Sequence, residues 1–277
     1  MPPTSAVIPN FNFSLSPVSL PQRLPFPRNE SVVLVPAYFF PYDNANPGTH
    51  NVGPYWSTLI EAAKLHGNRL VVIANPNNGP GSGTGWENQK YQEAITKVRN
   101  EGAVVIGYVH VCYGLEHHSA ACNNRTLQDI HSDIDKWMAW YNVDGIFLDE
   151  TATQAPKLQW HQDLVQYIKS VFGEDGSVYM NYGVMPNTSY ISNMPNVIHG
   201  VFENTPGAFD AQFAQIQQSS LHNQTTILIH SENGSDWQQL KDKILSGIKV
   251  QGFYITNDTF QGNPWDSLPP YFMSLFD

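Results

Sequence analysis

A single (β/α)8 barrel is the fold this sequence predicts. Three observations point to it: about eight short apolar runs that read as strands, amphipathic segments ended by glycine between them, and a length of 277 residues, which such a barrel commonly fills. The runs cover residues 32–38, 69–75, 104–110, 143–149, 177–182, 197–203, 225–230 and 250–256. They are nearly continuously apolar, as strands are when both faces of a parallel sheet are covered.

The connections follow in order. After the first run, Pro54 takes the favoured first helical position and the pattern stops before Gly67. The second run leads into the glycine-rich stretch 79–85, which lacks the Lys-Ser/Thr of a phosphate loop and is expected to be a mobile loop. The helix pattern after it ends at Gly102, and another fits 126–141. Pro156 opens a further helix that stops before Gly173, residues 187–194 leave room for a turn or two, and 208–221 and 235–246 complete the set. No Gly-x-Gly-x-x-Gly follows the first run, which counts against an open nucleotide-binding sheet.

Residues 1–30, with prolines at 2, 3, 9, 17, 21, 25 and 27, read as an N-terminal extension or linker, and 31–277 as one catalytic barrel domain. The extension lacks a basic segment followed by an apolar one, so it does not read as a signal peptide. No run of about 18 apolar residues occurs, and no membrane insertion of the chain is expected.

Fourteen Lys and Arg against 24 Asp and Glu give a formal charge of −10, which disfavours nucleic acid and anionic membranes as partners. Charged residues are only 14% and hydrophobics 41%, enough for a full core, and a monomer is expected. Asn-x-Ser/Thr acceptors at Asn12, Asn29, Asn124, Asn187, Asn223, Asn233 and Asn257 are dense for this composition and hint at secretion or a cell-surface or cell-wall location. Cys112 and Cys122 fall in one loop. In an oxidising compartment they could form a disulfide worth about 2 to 3 kcal/mol; two free thiols are the alternative.

Barrel chemistry lies at the carboxyl ends of the strands. Those ends are polar here: Asn75, His110, Asp149 and Glu150, Asn181 and Tyr182, Glu203 and Asn204, His230 and Glu232, then Asn257 and Asp258. The run from Val143 to Glu150 ends in two adjacent acids, which project to opposite sides of a strand, so one is expected to face substrate and the other to support it. Glu203 ends the sixth run. Two facing carboxylates, one protonated and one ionised, are what glycoside hydrolysis requires, and a third acid would help hold one of the pair protonated. The plainer reading of any one such acid is a helix cap. Asp144 begins its strand and reads as structural.

A glycan cleft also needs aromatic faces. Tyr38, Trp86, Tyr113, Tyr182, Trp237 and Trp265 fall at or just beyond strand ends, although each alone is more often packing. His110, His117 and His118 surround the cysteine loop, yet no His-Glu-x-x-His or His-x-His spacing occurs. No cofactor or metal is called for, although Asp149, Glu150 and Glu203 could hold a divalent cation as a rival reading. No Gly-x-Ser-x-Gly elbow supports a serine nucleophile.

The segments Val32-Val33-Leu34-Val35-Pro36-Ala37-Tyr38-Phe39, Val71-Val72-Ile73-Ala74-Asn75-Pro76, Gly107-Tyr108-Val109, Asp144-Gly145-Ile146-Phe147-Leu148-Asp149-Glu150 and Phe202-Glu203 resemble the spherulation-specific, or spherulin-4, family, grouped as glycoside hydrolase family 135. The resemblance runs from about Val32 to the C-terminus. It implies a (β/α)8 barrel, secreted or at the cell surface, that hydrolyses α-1,4 linkages in galactosaminogalactan, a partly deacetylated amino-sugar polymer of fungal walls and biofilms. It places the acidic trio on Asp149, Glu150 and Glu203. The expected mechanism is retaining, with Asp149 as nucleophile, Glu203 as acid and base, and Glu150 tuning them. The reverse assignment of Asp149 and Glu203 stays open, as does inversion should the carboxyls stand about 7 Å or more apart. Tyr38, Asn75, Tyr108, His110, Asn181, Tyr182, His230 and Glu232 are sugar-binding candidates. A wall-binding barrel without turnover and a metal-dependent enzyme are the alternatives.

Overall fold

The computed structural model describes residues 30–42, 52–116, 122–219 and 224–277. The residues of the proline-rich extension before Glu30, together with His117, His118 and Asn223, lie outside that description. Eight parallel strands close into a barrel in sequence order: β1 (Val32–Ala37), β2 (Leu70–Ala74), β3 (Val104–His110), β4 (Gly145–Asp149), β5 (Ser177–Asn181), β6 (Ile198–Asn204), β7 (Thr225–Ile229) and β8 (Gly252–Ile255). The seam is short, with Val32 and Val33 of β1 against Gly252 and Phe253 of β8.

Helices sheathe the barrel: α1 (Pro54–His66), α2 (Gly85–Asn100), the single turn α3 (Cys112–Leu115), α4 (Leu127–Lys136), α5 (Leu158–Phe172), α6 (Thr188–Asn193), α7 (Pro206–Gln218) and α8 (Trp237–Gly247). A 3₁₀ turn, Phe272–Phe276, covers the position after β8. Strand residues are buried on both faces, which is why their sequences are apolar without alternation. The helix expected over 126–141 is α4 followed by a π turn, Trp137–Tyr141, stopped by Asn142 in the left-handed conformation. Its start is a capping box, with the Thr126 hydroxyl accepting from the Asp129 N–H and the Asp129 carboxylate accepting from the Thr126 N–H.

Two devices aim β3. A Cβ on Gly107 would stand 2.3 Å from the Trp137 ring, so only glycine lets that indole press onto the strand. Its Nε1 then donates to the Tyr108 carbonyl at 2.8 Å. Gly107 therefore faces the helical layer, and Tyr108 faces the barrel interior. At the opposite end of the barrel, Asp144 takes a two-pronged bond from Arg99 at 2.7 and 3.0 Å and another from the Val105 N–H at 2.9 Å, a structural post for a buried carboxylate.

The glycine-rich stretch 79–85, expected to be mobile, is tied down. Tyr141 donates to the Pro80 carbonyl at 2.7 Å, Gly79 N–H donates to Asn75 Oδ1 at 3.0 Å, and the Trp140 ring lies where a Cβ on Gly83 would come within 2.4 Å. The π turn causes this, because it swings two consecutive aromatics onto the loop.

Candidate active site

Alternation along β4 puts Gly145, Phe147 and Asp149 on the interior face, and Phe147 stacks 6.3 Å from Tyr108. The next residue, Glu150, has φ 53, a left-handed conformation that costs a non-glycine residue about 1 to 2 kcal/mol. Bonds offset that cost: the Glu150 carbonyl accepts from the Tyr113 N–H at 2.7 Å. The reversal turns the Glu150 side chain over β3, where Oε2 lies 2.6 Å from His110 Nε2. The two adjacent acids thus part company, Asp149 toward the barrel axis and Glu150 toward its wall.

Glu203 reaches the axis by a different route. His199 points to the helical layer, where it stacks on Tyr182 and bonds its hydroxyl at 3.1 Å, while Gly200 faces inward against Asn181. Strict alternation would then send Glu203 outward. A β-bulge between Gly200 and Phe202 makes Val201 an extra residue, so Phe202 packs outward on Phe209 of α7 and Glu203 turns in.

Asn181, at the end of β5, stands between the acids. Its Nδ2 donates to Asp149 Oδ1 at 2.8 Å and to Glu203 Oε2 at 2.5 Å. Because both bonds meet at one nitrogen, the two oxygens can be no further apart than those lengths laid end to end, about 5.3 Å. Tyr108 donates to Asp149 Oδ2 at 2.8 Å. On the other flank, Trp265 Nε1 donates to Glu203 Oε1 at 3.2 Å, while the Trp265 carbonyl accepts from the Tyr38 N–H at 3.1 Å. Tyr38 packs edge-on to Tyr108, 5.6 Å between centroids.

Burial and then the charge of Asp149 push the Glu203 carboxyl up to about 7, against the pull of Asn181 and Trp265. Burial also raises Asp149, but Asn181, Tyr108 and the Glu150 N–H stabilise its charged form. The pair is therefore polarised, with Glu203 the proton holder at neutral pH and Asp149 the ionised partner. Burial and the nearby carboxylates hold the Tyr38 and Tyr108 hydroxyls well above their ordinary value, so both remain donors.

Cys112 and Cys122 form a disulfide, and both sulfurs pack against His110, with Cys122 Sγ 3.9 Å from Glu150 Oε2. His110, Cys112 and Cys122 have the spacing of a metal site, but sulfurs bonded to each other are not thiolates and cannot serve as such ligands. Asp149, Glu150 and Glu203 form no three-ligand group among the described residues, since Glu150 is turned to His110.

The spherulation-specific family 4 model matches residues 32–277. The chain belongs to that family. Spherulin-4 of Physarum polycephalum is 25% identical over 248 residues, covering 86% of this chain and 67% of that one. Among solved structures, Aspergillus clavatus Sph3 in complex with GalNAc is similar with a TM-score of 0.69 and 23% identity, over 89% of this chain and 96% of that one. The endocellulase of Pyrococcus horikoshii with cellotetraose has a TM-score of 0.56 at 12% identity, over 88% and 89%. A broad-specificity GH5-4 endoglucanase from Clostridium acetobutylicum has 0.53 at 13%, over 89% and 96%. This chain and these solved structures share the barrel.

Around Asp149, Glu150 and Glu203, the other sequence candidates separate. Tyr38, Tyr108, His110 and Asn181 gather at the acids, as above. His230 lies near them through Trp265, 5.8 Å between ring centroids. Asn75 caps the glycine-rich loop through Gly79. Tyr182 is a correction: since Asn181 faces inward, Tyr182 faces out, buried between His199 and Tyr190. Glu232 is another, its carboxylate occupied by the N–H groups of Gly234 and Asp236, each at 2.8 Å, and by the Tyr271 hydroxyl at 3.0 Å. It lines a cavity of about 620 Å³ between the starts of α7 and α8 that does not include the acid pair. Trp237 stacks on Tyr271 beside it. Sequence reasoning missed the bulge at Val201, which no residue pattern announces, and the Trp265 bond to Glu203, for which proximity in sequence offers no signal.

Proposed function

We propose that this spherulin-4 family chain is a retaining endo-glycosidase cleaving α-1,4-linked N-acetylgalactosamine or galactosamine in a galactosaminogalactan-type polysaccharide. The observation that carries the reading is the Asn181 amide shared by Asp149 and Glu203, which keeps the two bonded oxygens within about 5.3 Å of each other, short of the roughly 6.5 to 9.5 Å associated with inversion. Asp149 attacks the anomeric carbon while Glu203 gives its proton to the departing glycosidic oxygen; the bond to the leaving sugar breaks as the bond to Asp149 Oδ forms. In the second step Glu203 takes a proton from water, which displaces Asp149 and restores both acids. Glu150, held by His110, fixes the strand end that aims Asp149. Similarity to a family relative solved with GalNAc supports the amino-sugar part of the proposal, and the glycosidase neighbours support the reaction class. The disulfide supports action outside the cell, where such bonds persist.

The test is incubation of the wild type and Glu203→Gln with galactosaminogalactan, with and without chelator, followed by mass spectrometry of released oligosaccharides. Release by the wild type alone, indifferent to chelator, is the expected result. Tight binding without release by the wild type would overturn the reading in favour of a non-catalytic wall-binding barrel.

A further inference from the structure

Six large apolar side chains are exposed among the described residues: Tyr55, Leu65, Trp86, Leu127, Val184 and Phe260. Isolated exposed apolar groups need no explanation, but these are unevenly placed. Tyr55, Trp86 and Leu127 lie in the first turns of α1, α2 and α4, and Val184 and Phe260 lie in the loops after β5 and β8. All five therefore stand at the carboxyl end of the barrel, with the acids; only Leu65, near the end of α1, stands at the other.

Phe260 is the least covered, 73% exposed, and it connects directly to the acids. Its ring centroid is 5.2 Å from that of His230, the His230 ring meets Trp265 edge-on, and Trp265 bonds Glu203. His230 is itself only 3% exposed. Its Nδ1 is paired with Ser231 Oγ at 2.9 Å, while Nε2 makes no hydrogen bond to a described residue. An open apolar ring beside an uncommitted ring nitrogen matches a pyranose, which offers a C–H face and hydroxyl groups at its edge.

We infer that Phe260 and His230 form a sugar subsite on the β7–β8 side of the cleft, seating the unit next to the one whose glycosidic bond is broken. This rests on the glycosidase reading. Phe260 supplies the platform and His230 Nε2 the hydrogen bond; burial lowers the His230 pKa, so the imidazole is neutral at pH 7 and Nε2 is able to accept from a hydroxyl when Nδ1 carries the proton. The subsite holds a neighbouring unit, so its contribution appears only with chains longer than one sugar.

The experiment is calorimetric binding of GalNAc and of α-1,4 amino-sugar oligosaccharides of graded length to the Glu203→Gln protein, with Phe260 intact or changed to Ala or Trp. Phe260→Ala is expected to weaken oligosaccharide binding about tenfold, leave the monosaccharide unchanged, and be restored by Phe260→Trp. An Ala variant that binds every length as tightly as the Phe260-intact protein does, or that weakens monosaccharide and oligosaccharide equally, overturns the subsite. If wild-type protein cleaves the polymer while Phe260→Ala binds normally, the glycosidase reading stands and the subsite alone falls; if the Phe260-intact protein binds no amino-sugar oligosaccharide, both fall.

Discussion

At the scale of residues, the site is governed by two buried carboxyls, of which Glu203 is pushed up to about 7. On the proposed route Glu203 is protonated and Asp149 ionised, so kcat/KM is expected to fall as pH rises through about 7, with an acid limb set by Asp149. The same shift has a stability consequence. Above its ordinary value of 4.5 the unfolded Glu203 loses a proton that the folded residue keeps until about 7, so folding stability contributed by this residue declines across that window. Glu203→Gln removes the penalty. A thermal melt of the variant should therefore exceed wild type at pH 8 and match it near pH 4; an equal or lower melting temperature at pH 8 would argue that the buried charge is better compensated than Asn181 and Trp265 suggest.

At the scale of elements, the acids are aimed by strand ends rather than by loops. The β5–β6 contact beside the acids is close: a Cβ on Gly200 would stand 2.7 Å from Asn181 Oδ1 and 3.1 Å from its Cα. Gly200→Ala must displace the residue that spans the pair. We expect a loss of about 10- to 100-fold in kcat with the barrel still folded, read from initial rates alongside far-ultraviolet dichroism, since misplacement by about 1 Å costs on that order. Unchanged kcat would mean that Asn181 can shift without disturbing the carboxylates. The eight strands were legible in the sequence because a parallel barrel buries both strand faces, leaving contiguous runs such as Val104–His110 that propensity and burial describe alike. Asp149 and Glu150 were legible as a split pair because neighbours on a strand face opposite ways, but the left-handed turn at Glu150, just past β4, that sends its side chain over β3 has no signal in the sequence. Which way Glu203 points was not, because an inserted Val201 changes the phase of β6 without changing its composition. Tyr182 and Glu232 misled for a related reason: lying near a strand end places a residue near the cleft, while its facing and its local partners decide whether the side chain enters it. The tethering of residues 79–85 depended on Trp140 and Tyr141, more than fifty residues away, which no local pattern links to a glycine-rich loop.

At the scale of the molecule, the formal charge of −10 bears on how substrate arrives. A partly deacetylated amino-sugar polymer is cationic, and long-range attraction toward an acidic protein raises the encounter rate until salt screens it, over about 8 Å at 0.15 M. KM for such a polymer should rise between 50 and 500 mM salt, while KM for its fully acetylated, uncharged counterpart stays level. Parallel behaviour of the two polymers would remove electrostatic steering from the account. The (β/α)8 architecture itself leaves this surface free to vary, since the barrel core is fixed by side chains buried away from solvent.

The amide that joins the two acids also implies a clock. On the proposed route, Asp149 loses its charge at the moment it becomes an ester of the sugar. Burial still favours the proton on Glu203, but the repulsion from Asp149 that added to it disappears, while the donors from Asn181 and Trp265 remain and favour the anion. With its proton affinity lowered, Glu203 stays ionised once its first proton has left, and it is in that form that it takes a proton from water while the covalent intermediate is waiting to be broken. Hydrolysis of that ester returns the charge to Asp149, and with it the affinity of Glu203 for the proton it has just collected. The order of the two half-reactions is written into the electrostatics of a single pair, with no moving part required to enforce it.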